Sequence, residues 1–185
     1  MRRRHEVQHA YPDHGHRHLS AIAALRSATG AAHDAVDQVY GRFDLSDRAS
    51  YTAFLVAHAR ALPAVEDALA GAVVPPSRPR HALLAADLDD LGATMPPALP
   101  FGRPAGTAEA WGMLYVIEGS RLGGVMLSRQ VGIGLPARYL AARHQSGEWR
   151  ALLSGLDAAA EGDAWIARAV TAARATFDLY GRAVG

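Results

Sequence analysis

The sequence predicts an all-α protein with a single domain. Apolar residues recur at intervals of three and four through most of the chain, which is the spacing of one face of a helix. No segment shows the strict alternation of a half-buried strand, and neither a repeat nor a second apolar cluster divides the chain. With 185 residues, half of them apolar, the chain can build one core from about six to eight helices.

The composition excludes several kinds of chemistry. The chain has no Cys, so disulfides, thiolate metal sites and cysteine nucleophiles are excluded. Its 19 basic residues are all Arg, so lysine-based covalent catalysis is excluded and an anion must be held by Arg, His or backbone N–H groups. A net charge of +1 without a basic face argues against a nucleic-acid partner.

The distribution of apolar residues gives two expectations about location. No apolar run reaches the length of about 18 residues that a membrane span needs. The N-terminus has basic residues but no apolar stretch of the kind that a signal peptide contains. We therefore expect no membrane span, no signal peptide and a cytoplasmic protein.

Residues 1–19 are predicted to be a flexible N-terminal tail, and the domain is predicted to cover residues 20–185. The tail is polar and holds alternating histidines at His14, His16 and His18. Such a pattern can chelate a stray divalent metal, but a solvated tail is the interpretation that we favour.

The first predicted helix covers residues 20–40, with Ser20 as its N-cap. One edge of this helix carries four polar residues, which are Arg26, Thr29, His33 and Asp37. A lone histidine beside an apolar face is usually a packed residue. A carboxylate four positions further on can fix the orientation of an imidazole that binds a ligand, so His33 stands out.

Two further helices are predicted over residues 46–70, capped by Ser46, and over residues 80–91. His58 lies on the apolar stripe of the second helix and is the rival candidate for a ligand. No carboxylate lies at a neighbouring turn, so we favour a hydrogen-bonded histidine of the core or its rim. In the third helix the predicted outward residues are Asp87, Asp89 and Asp90.

The fourth predicted helix, residues 107–132 with Thr107 as its cap, contains three closely spaced glycines, which are Gly119, Gly123 and Gly124. Each glycine in a helix interior costs up to about 1 kcal/mol relative to alanine. Gly119 and Gly123 are four apart and so expose a strip of bare backbone on one face. The strip serves either the close approach of a ligand or tight packing against another helix, and the glycines alone leave both open.

The remaining chain predicts a short helix or turn over residues 137–144. A helix capped by Ser146 follows over residues 147–160, and a final amphipathic helix covers residues 164–183.

Two of these stretches resemble one family. Residues 25–37, LRSATGAAHDAVD, resemble the proximal helix of heme oxygenases, and residues 115–124, YVIEGSRLGG, resemble the distal helix of their bacterial branch. The resemblance extends over residues 20–183 and is specific because both motifs occur in this order. It implies a heme oxygenase-like helical bundle in which heme is sandwiched between a proximal and a kinked distal helix.

The resemblance also implies roles for individual residues. His33 stands at the axial iron ligand, and Asp37 stands where the family more often has Glu. Ser120 stands where the animal-type branch has an Asp that organises the distal water. The other residues that the resemblance brings to the heme are Gly119, Gly123 and Gly124 on the distal side, with Thr29 and Tyr115 as further contacts. The two propionates of heme need cations, and Arg26, two turns from His33 on the same helix, is the first candidate. Arg129 is the second, and Arg143 and Arg150 are unranked further candidates.

The function implied by the resemblance is the oxidative cleavage of heme to biliverdin with release of iron and CO. Heme is then both cofactor and substrate, and O2 and external electrons from a ferredoxin or reductase are required. A bacteriophytochrome is the implied acceptor of biliverdin. Two alternatives stay open: a heme-binding or storage protein of this fold without turnover, and a cofactor-free helical interaction module. No Glu-x-x-His motif occurs in the predicted helices, so a di-iron bundle is not supported.

Overall fold

Helices make up the regular structure of residues 20–185, which are the residues that this computed structural model describes. The predicted tail, including His14, His16 and His18, lies outside the described residues. No strand occurs within residues 20–185, so the prediction of an all-α fold is confirmed. The elements are α1 (Ala21–Tyr40), α2 (Arg48–Leu69), α3 (His81–Asp90), α4 (Thr107–Leu127), a 3-10 turn (Ser128–Gln130), α5 (Arg138–Ala141), α6 (Glu148–Ala159) and α7 (Asp163–Ala183).

Helix α7 lies at the centre of the fold and packs against α4, α1 and α2. Its buried residues recur at helical spacing, from Trp165 through Ala169 and Ala173 to Phe177. Large side chains from the six other α-helices are fully buried with it, and they include Leu25, Tyr51, Phe54, Leu62, Leu84, Leu88, Leu114, Tyr139 and Leu156. Burying one such side chain is worth about 1.5–3 kcal/mol relative to exposing it to water.

Helix α4 reaches α7 closely because of one of its glycines. A Cβ added at Gly112 would overlap the backbone of Ala169 on α7. A side chain at this position would therefore push the two helices apart. α1 also packs on α7, and a cavity opens between α1 and α4.

The helix N-termini confirm one predicted cap and correct another. The side chain of Ser20 accepts a hydrogen bond from the backbone N–H of Ala23 at 3.2 Å, as the sequence predicts. The predicted cap of α2 at Ser46 is wrong, because the Ser46 hydroxyl donates to Asp44. Asp47 caps α2 instead and accepts from the backbone N–H of the third helical residue at 2.8 Å.

Two further predicted caps differ from the structure. Thr107 is the first residue of α4, and the cap position belongs to Gly106, which has no side chain to offer. Gly147, with φ of 81°, occupies the cap position of α6 in place of Ser146. Helix α4 runs without interruption through its three glycines but ends at Leu127, five residues before the predicted end at residue 132.

Asp87 corrects another prediction, because its carboxylate is completely buried and does not point outward. One oxygen accepts from the backbone N–H of Tyr139 at 2.9 Å, and the other accepts from the backbone and guanidinium of Arg138. A buried carboxylate thus holds the first turn of the short helix α5, which has no side-chain cap of its own.

Among the helices within residues 20–185, none combines the length and apolar character that crossing a membrane requires.

Candidate functional site

A cavity of about 540 Å³ lies between α1 and α4, with α2, α5 and α7 forming its deeper walls. This volume is in the range of sites that hold small organic ligands. Its lining is mostly apolar and aromatic with a few polar groups, and the residues used below are Arg26, Thr29, Gly30, His33, Asp37, Tyr40, Phe54, His58, Arg80, Tyr115, Gly119, Ser120, Leu122, Gly123, Gly124, Tyr139, Leu140, Phe177 and Tyr180.

His33 projects from α1 at the side of the cavity, and its side chain is 58% exposed. Its Nδ1 lies 3.2 Å from the Oδ2 of Asp37, one turn further along the same helix. The edge of its ring also meets Phe177 of α7, with the ring centres 5.8 Å apart. Because Nδ1 is directed to the carboxylate, Nε2 is the nitrogen that remains for a metal.

The other two polar residues on this edge of α1 have different environments. Thr29 is buried, and its hydroxyl donates to the carbonyl oxygen of Leu25 at 2.7 Å. The hydroxyl hydrogen is therefore not available to a ligand in the cavity. Arg26 is exposed and lines the cavity. No ion pair of Arg26 occurs within residues 20–185, so its guanidinium is available to an anionic group at the mouth.

The three closely spaced glycines of α4, Gly119, Gly123 and Gly124, do not serve the same purpose. A Cβ added at Gly123 would have no neighbouring atom within 4 Å, and one at Gly119 would meet only the ring of Trp149, at 3.8 Å. A Cβ at Gly124, by contrast, would lie 3.1 Å from the carbonyl oxygen of Leu140 on α5. Helix packing therefore explains Gly124, while Gly119 and Gly123 leave bare backbone beside open space.

Arg80 is a cavity residue that the sequence analysis did not single out. Its side chain is only 2% exposed, and its guanidinium lies 5.2 Å from the centre of the Tyr139 ring. It donates to the backbone oxygen of Ile117 at 2.7 Å and to the hydroxyl of Ser120 at 2.8 Å. No carboxylate pairs with this guanidinium among the described side chains, so Arg80 gives the inner wall a net positive charge.

Ser120 is fixed between two partners. Its hydroxyl donates to the carbonyl oxygen of Ile117 at 2.7 Å while it accepts from Arg80. A hydroxyl has one donor and two acceptor positions. Ser120 can therefore accept one further hydrogen bond from a water or ligand in the cavity, but it has no free donor.

His58 lies deep in the cavity, among aromatic rings. The ring centres of Phe54 and Tyr40 are 4.3 and 4.6 Å away, and those of Tyr139 and Tyr180 are 5.5 and 5.7 Å away. The Nδ1–H donates to the carbonyl oxygen of Phe54 at 3.0 Å. Burial lowers the pKa of His58 to about 4, so this imidazole is neutral at physiological pH.

The buried His58 should make the free energy of unfolding depend on pH. Its pKa is about 4 in the folded chain and 6.5 in the unfolded chain, so between these values the unfolded chain binds more protons. Lowering the pH from 7 to 5 should thus destabilise the fold by about 2 kcal/mol through this group. This contribution of His58 is measured by urea unfolding of the ligand-free wild type and of His58→Gln at both pH values.

In His58→Gln, the free energy of unfolding should differ between pH 7 and pH 5 by about 2 kcal/mol less than in the wild type. The same difference in both proteins would show that His58 is not the group responsible.

The remaining sequence candidates are Tyr115 and Arg129. Tyr115 lines the cavity, with its ring centre 6.1 Å from that of Trp149 on α6. Arg129 lies exposed on the 3-10 turn after α4 and is not among the residues that line the cavity. The expectation that Arg129 approaches a ligand stays a prediction.

The residues of the inner wall could not be identified from the sequence, for a physical reason. Arg80, Tyr139 and Tyr180 come from the start of α3, from α5 and from α7, so no local spacing connects them. The one available signal was that a chain without Lys must supply any buried cation as Arg.

The arrangement suits a flat, largely apolar ligand with a metal at its centre. One side of the slot offers an imidazole held by a carboxylate, and the other offers helix backbone without side chains. An arginine at the mouth suits acidic groups on the ligand edge.

Comparison with known proteins agrees with this geometry. No protein-family model matches the chain. The chain is 34% identical over 146 residues to the heme oxygenase of Xanthomonas campestris pv. campestris (strain 8004), a match that covers 71% of this chain and 86% of that protein. It is also similar to a crystal structure of heme oxygenase from Neisseria meningitidis with NO and CO bound, with a TM-score of 0.75, 27% identity and 90% of each chain covered.

Proposed function

This chain belongs to the heme oxygenase family and is an enzyme that degrades heme, and from this premise we propose that it holds heme between α1 and α4 with His33 as the axial ligand of the iron. The observation that carries the proposal is the pairing of His33 and Asp37 on one side of the cavity with the bare backbone of Gly119 and Gly123 on the other.

Heme, when bound, supplies the iron at which oxygen is reduced and the porphyrin ring that is opened. The chain supplies position and polarity. On the proximal side, the Asp37 carboxylate holds Nδ1 of the His33 ring, so that Nε2 would be the nitrogen that binds the iron. Phe177 limits rotation of the same ring from the α7 side.

On the distal side, Gly119 and Gly123 leave room for a diatomic ligand close to the backbone of α4. Arg80 places a positive charge on the inner wall and orients the Ser120 hydroxyl, which can accept a hydrogen bond from water. His58 stays neutral and offers its Nε2 to the same chamber as an acceptor. These groups order water without placing a strong acid beside the oxygen.

The proposed reaction is oxidative cleavage of heme to biliverdin with release of iron and CO. It requires O2 and external electrons, for which a ferredoxin or a reductase is the proposed donor. A bacteriophytochrome is the proposed acceptor of the product. The comparisons do not favour the alternatives of heme storage without turnover or of a cofactor-free module.

The test of this function begins with hemin titration of the purified protein, in which a saturable Soret band with one heme per chain is expected. The complex is then given air and either ascorbate or a ferredoxin system, and the product is separated by chromatography. Loss of the Soret band with appearance of biliverdin supports turnover. A stable complex that yields no biliverdin with either donor would instead indicate heme binding alone.

Arg26 at the cavity mouth is expected to set the orientation of heme about the axis from the iron to His33. A partly exposed contact between arginine and a carboxylate contributes about 1 kcal/mol or less. Arg26→Ala should therefore still bind and cleave heme, but should yield a mixture of biliverdin isomers or a changed isomer. Chromatography of the products measures this.

The matched control for Arg26 is Arg129→Ala, because Arg129 is also exposed but does not line the cavity. It should give the wild-type isomer. A single unchanged isomer from Arg26→Ala together with a mixture from Arg129→Ala would reverse the assignment.

A further inference from the structure

Three ionisable side chains are buried together at the face of α4 that points away from the cavity. They are Glu118, Arg121 and His144, with side-chain exposures of 5%, 3% and 6%. The Nε of Arg121 lies 2.7 Å from the Oε2 of Glu118, and its Nη2 lies 3.1 Å from the other carboxylate oxygen, so the contact is bidentate. The Nε2 of His144 lies 2.9 Å from the Oε2 of Glu118. None of the three lines the heme cavity.

This buried cluster joins α4 to two connectors. Arg121 donates through Nη2 to the backbone oxygen of Arg78, which precedes α3, at 2.8 Å. Glu118 pairs with His144, which lies between α5 and α6. The ring of His144 also packs on Trp149, 5.7 Å between centres, and Trp149 is the neighbour that a Cβ at Gly119 would meet.

The part of α4 between these partners is rich in glycine and has few side chains that could hold it in place. Glycine is the poorest helix former apart from proline, and Gly119, Gly123 and Gly124 follow Glu118 within six residues. On the cavity side no atom lies within 4 Å of a Cβ position at Gly123. Arg80 holds Ile117 and Ser120 from the cavity side. On the opposite face, Glu118 and Arg121 restrain the same turn, on either side of Gly119 and Ser120 in the sequence.

Stability alone is a poor explanation for a buried ion pair. Removing two charges from water offsets most of their attraction, and apolar residues of similar volume often serve as well. What such a pair provides is a fixed geometry, because its hydrogen bonds tolerate few arrangements. Burial works against ionisation of Glu118, but the Arg121 guanidinium overcomes it and holds the pKa of the carboxyl below its usual value.

We propose that the Glu118–Arg121 pair is a positioning device, which fixes the backbone of residues 119–123 over the heme and so determines which carbon of the ring is attacked. Glu118 and Arg121 act through the helix and touch neither heme nor oxygen. This inference rests on the proposed function, since it assigns to the pair the regiospecificity of that reaction.

The first test needs no heme. Amide hydrogen exchange is followed in peptides that cover residues 117–127 of the ligand-free wild type and of Glu118→Gln. Exchange in these peptides should become about tenfold faster or more in the variant, because local opening of this turn becomes easier. The matched control is Glu109→Gln, which removes a carboxylate of the same helix that pairs with Arg168 at 3.5 Å. Equal exchange in all three proteins would overturn the proposal.

The second test compares the biliverdin isomers of the three proteins at a temperature where all are folded. Wild type and Glu109→Gln are expected to give one isomer, while Glu118→Gln should produce a second isomer as about one-tenth of the product or more. An unchanged single isomer from Glu118→Gln with faster exchange would reduce the pair to a purely structural role. Failure of wild type to form biliverdin would refute the proposed function and leave the exchange result intact.

A second variant covers the case in which Glu118→Gln does not fold. The double substitution Glu118→Met with Arg121→Met removes both charges at nearly constant volume, so that neither a carboxylate nor a guanidinium is left buried without its partner. His144 then remains as the one ionisable member of the cluster. It should fold, exchange faster over residues 117–127 and produce the second isomer. A folded double variant with wild-type exchange and a single isomer would also overturn the proposal.

Discussion

Alanine at position 33 is expected to remove the axial ligand of the iron and to lower turnover by about a hundredfold or more. His33 is the cavity histidine whose Nδ1 is held by a carboxylate, at 3.2 Å from Asp37, which leaves Nε2 for the metal. The ferric spectrum of the hemin complex reports the loss of ligation directly. Biliverdin formed per heme under air and reductant reports the loss of turnover.

The matched control is His58→Ala, since His58 lines the same cavity but lies among aromatic rings and donates to Phe54. This variant should keep the axial ligand and a ferric spectrum of the wild-type kind. Because His33→Ala leaves a space of imidazole size, added imidazole should restore much of its spectrum. If His58→Ala alone removed iron ligation, the assignment of His33 would be wrong.

Leucine at position 123 is expected to separate stability from activity. Leucine is a better helix former than glycine, so Gly123→Leu should raise the free energy of unfolding of the heme-free protein by about 0.5–1 kcal/mol. The backbone has room for a Cβ, but the side chain would extend into the part of the cavity where we propose that oxygen binds. A displacement of about 1 Å near a reacting group can lower a rate about a hundredfold, and we expect a loss of that size or a changed isomer.

The control for this substitution is Gly181→Leu in α7. Gly181 is also helical, and a Cβ there would also meet no atom within 4 Å, but Gly181 does not line the heme cavity. Urea unfolding and single-turnover assays on both variants complete the comparison. A stable Gly123→Leu variant with the wild-type biliverdin yield would show that the open backbone at this position is not used by the reaction.

The helices could be predicted from sequence because their apolar spacing is repeated over many residues, so single exceptions do not hide it. Helix starts were harder to predict. Ser46 and Asp47 are adjacent, and both residue types are good N-caps. The structure shows that Asp47 is the cap, because it accepts from a backbone N–H of α2 while the hydroxyl of Ser46 donates to Asp44. Asp87 was predicted to point outward because it belongs to a group of three closely spaced acidic residues, a pattern typical of a solvent-exposed face. Its carboxylate instead accepts from backbone N–H groups more than fifty positions away in the sequence.

The two sides of the site differ in how well they could be predicted from the sequence. His33 and Asp37 lie one helical turn apart, so their contact follows from the geometry of a single helix. The inner wall brings Arg80 to Ser120 and Tyr139 from three separate elements, and only tertiary packing makes those contacts. The glycines show the same limit, because identical residues at Gly123 and Gly124 face open space and the backbone of α5 respectively.

The position of α7 at the centre of the fold matters for repeated catalysis. Its buried contacts with α1, α2 and α4 include large side chains, such as Trp165 and Leu114, that do not line the cavity. A large part of the core can therefore form without a ligand in the cavity, unlike the core of a protein that folds only around its metal. An enzyme that destroys its own prosthetic group in every cycle needs such independence, since between product release and the next heme the chain must persist with nothing bound.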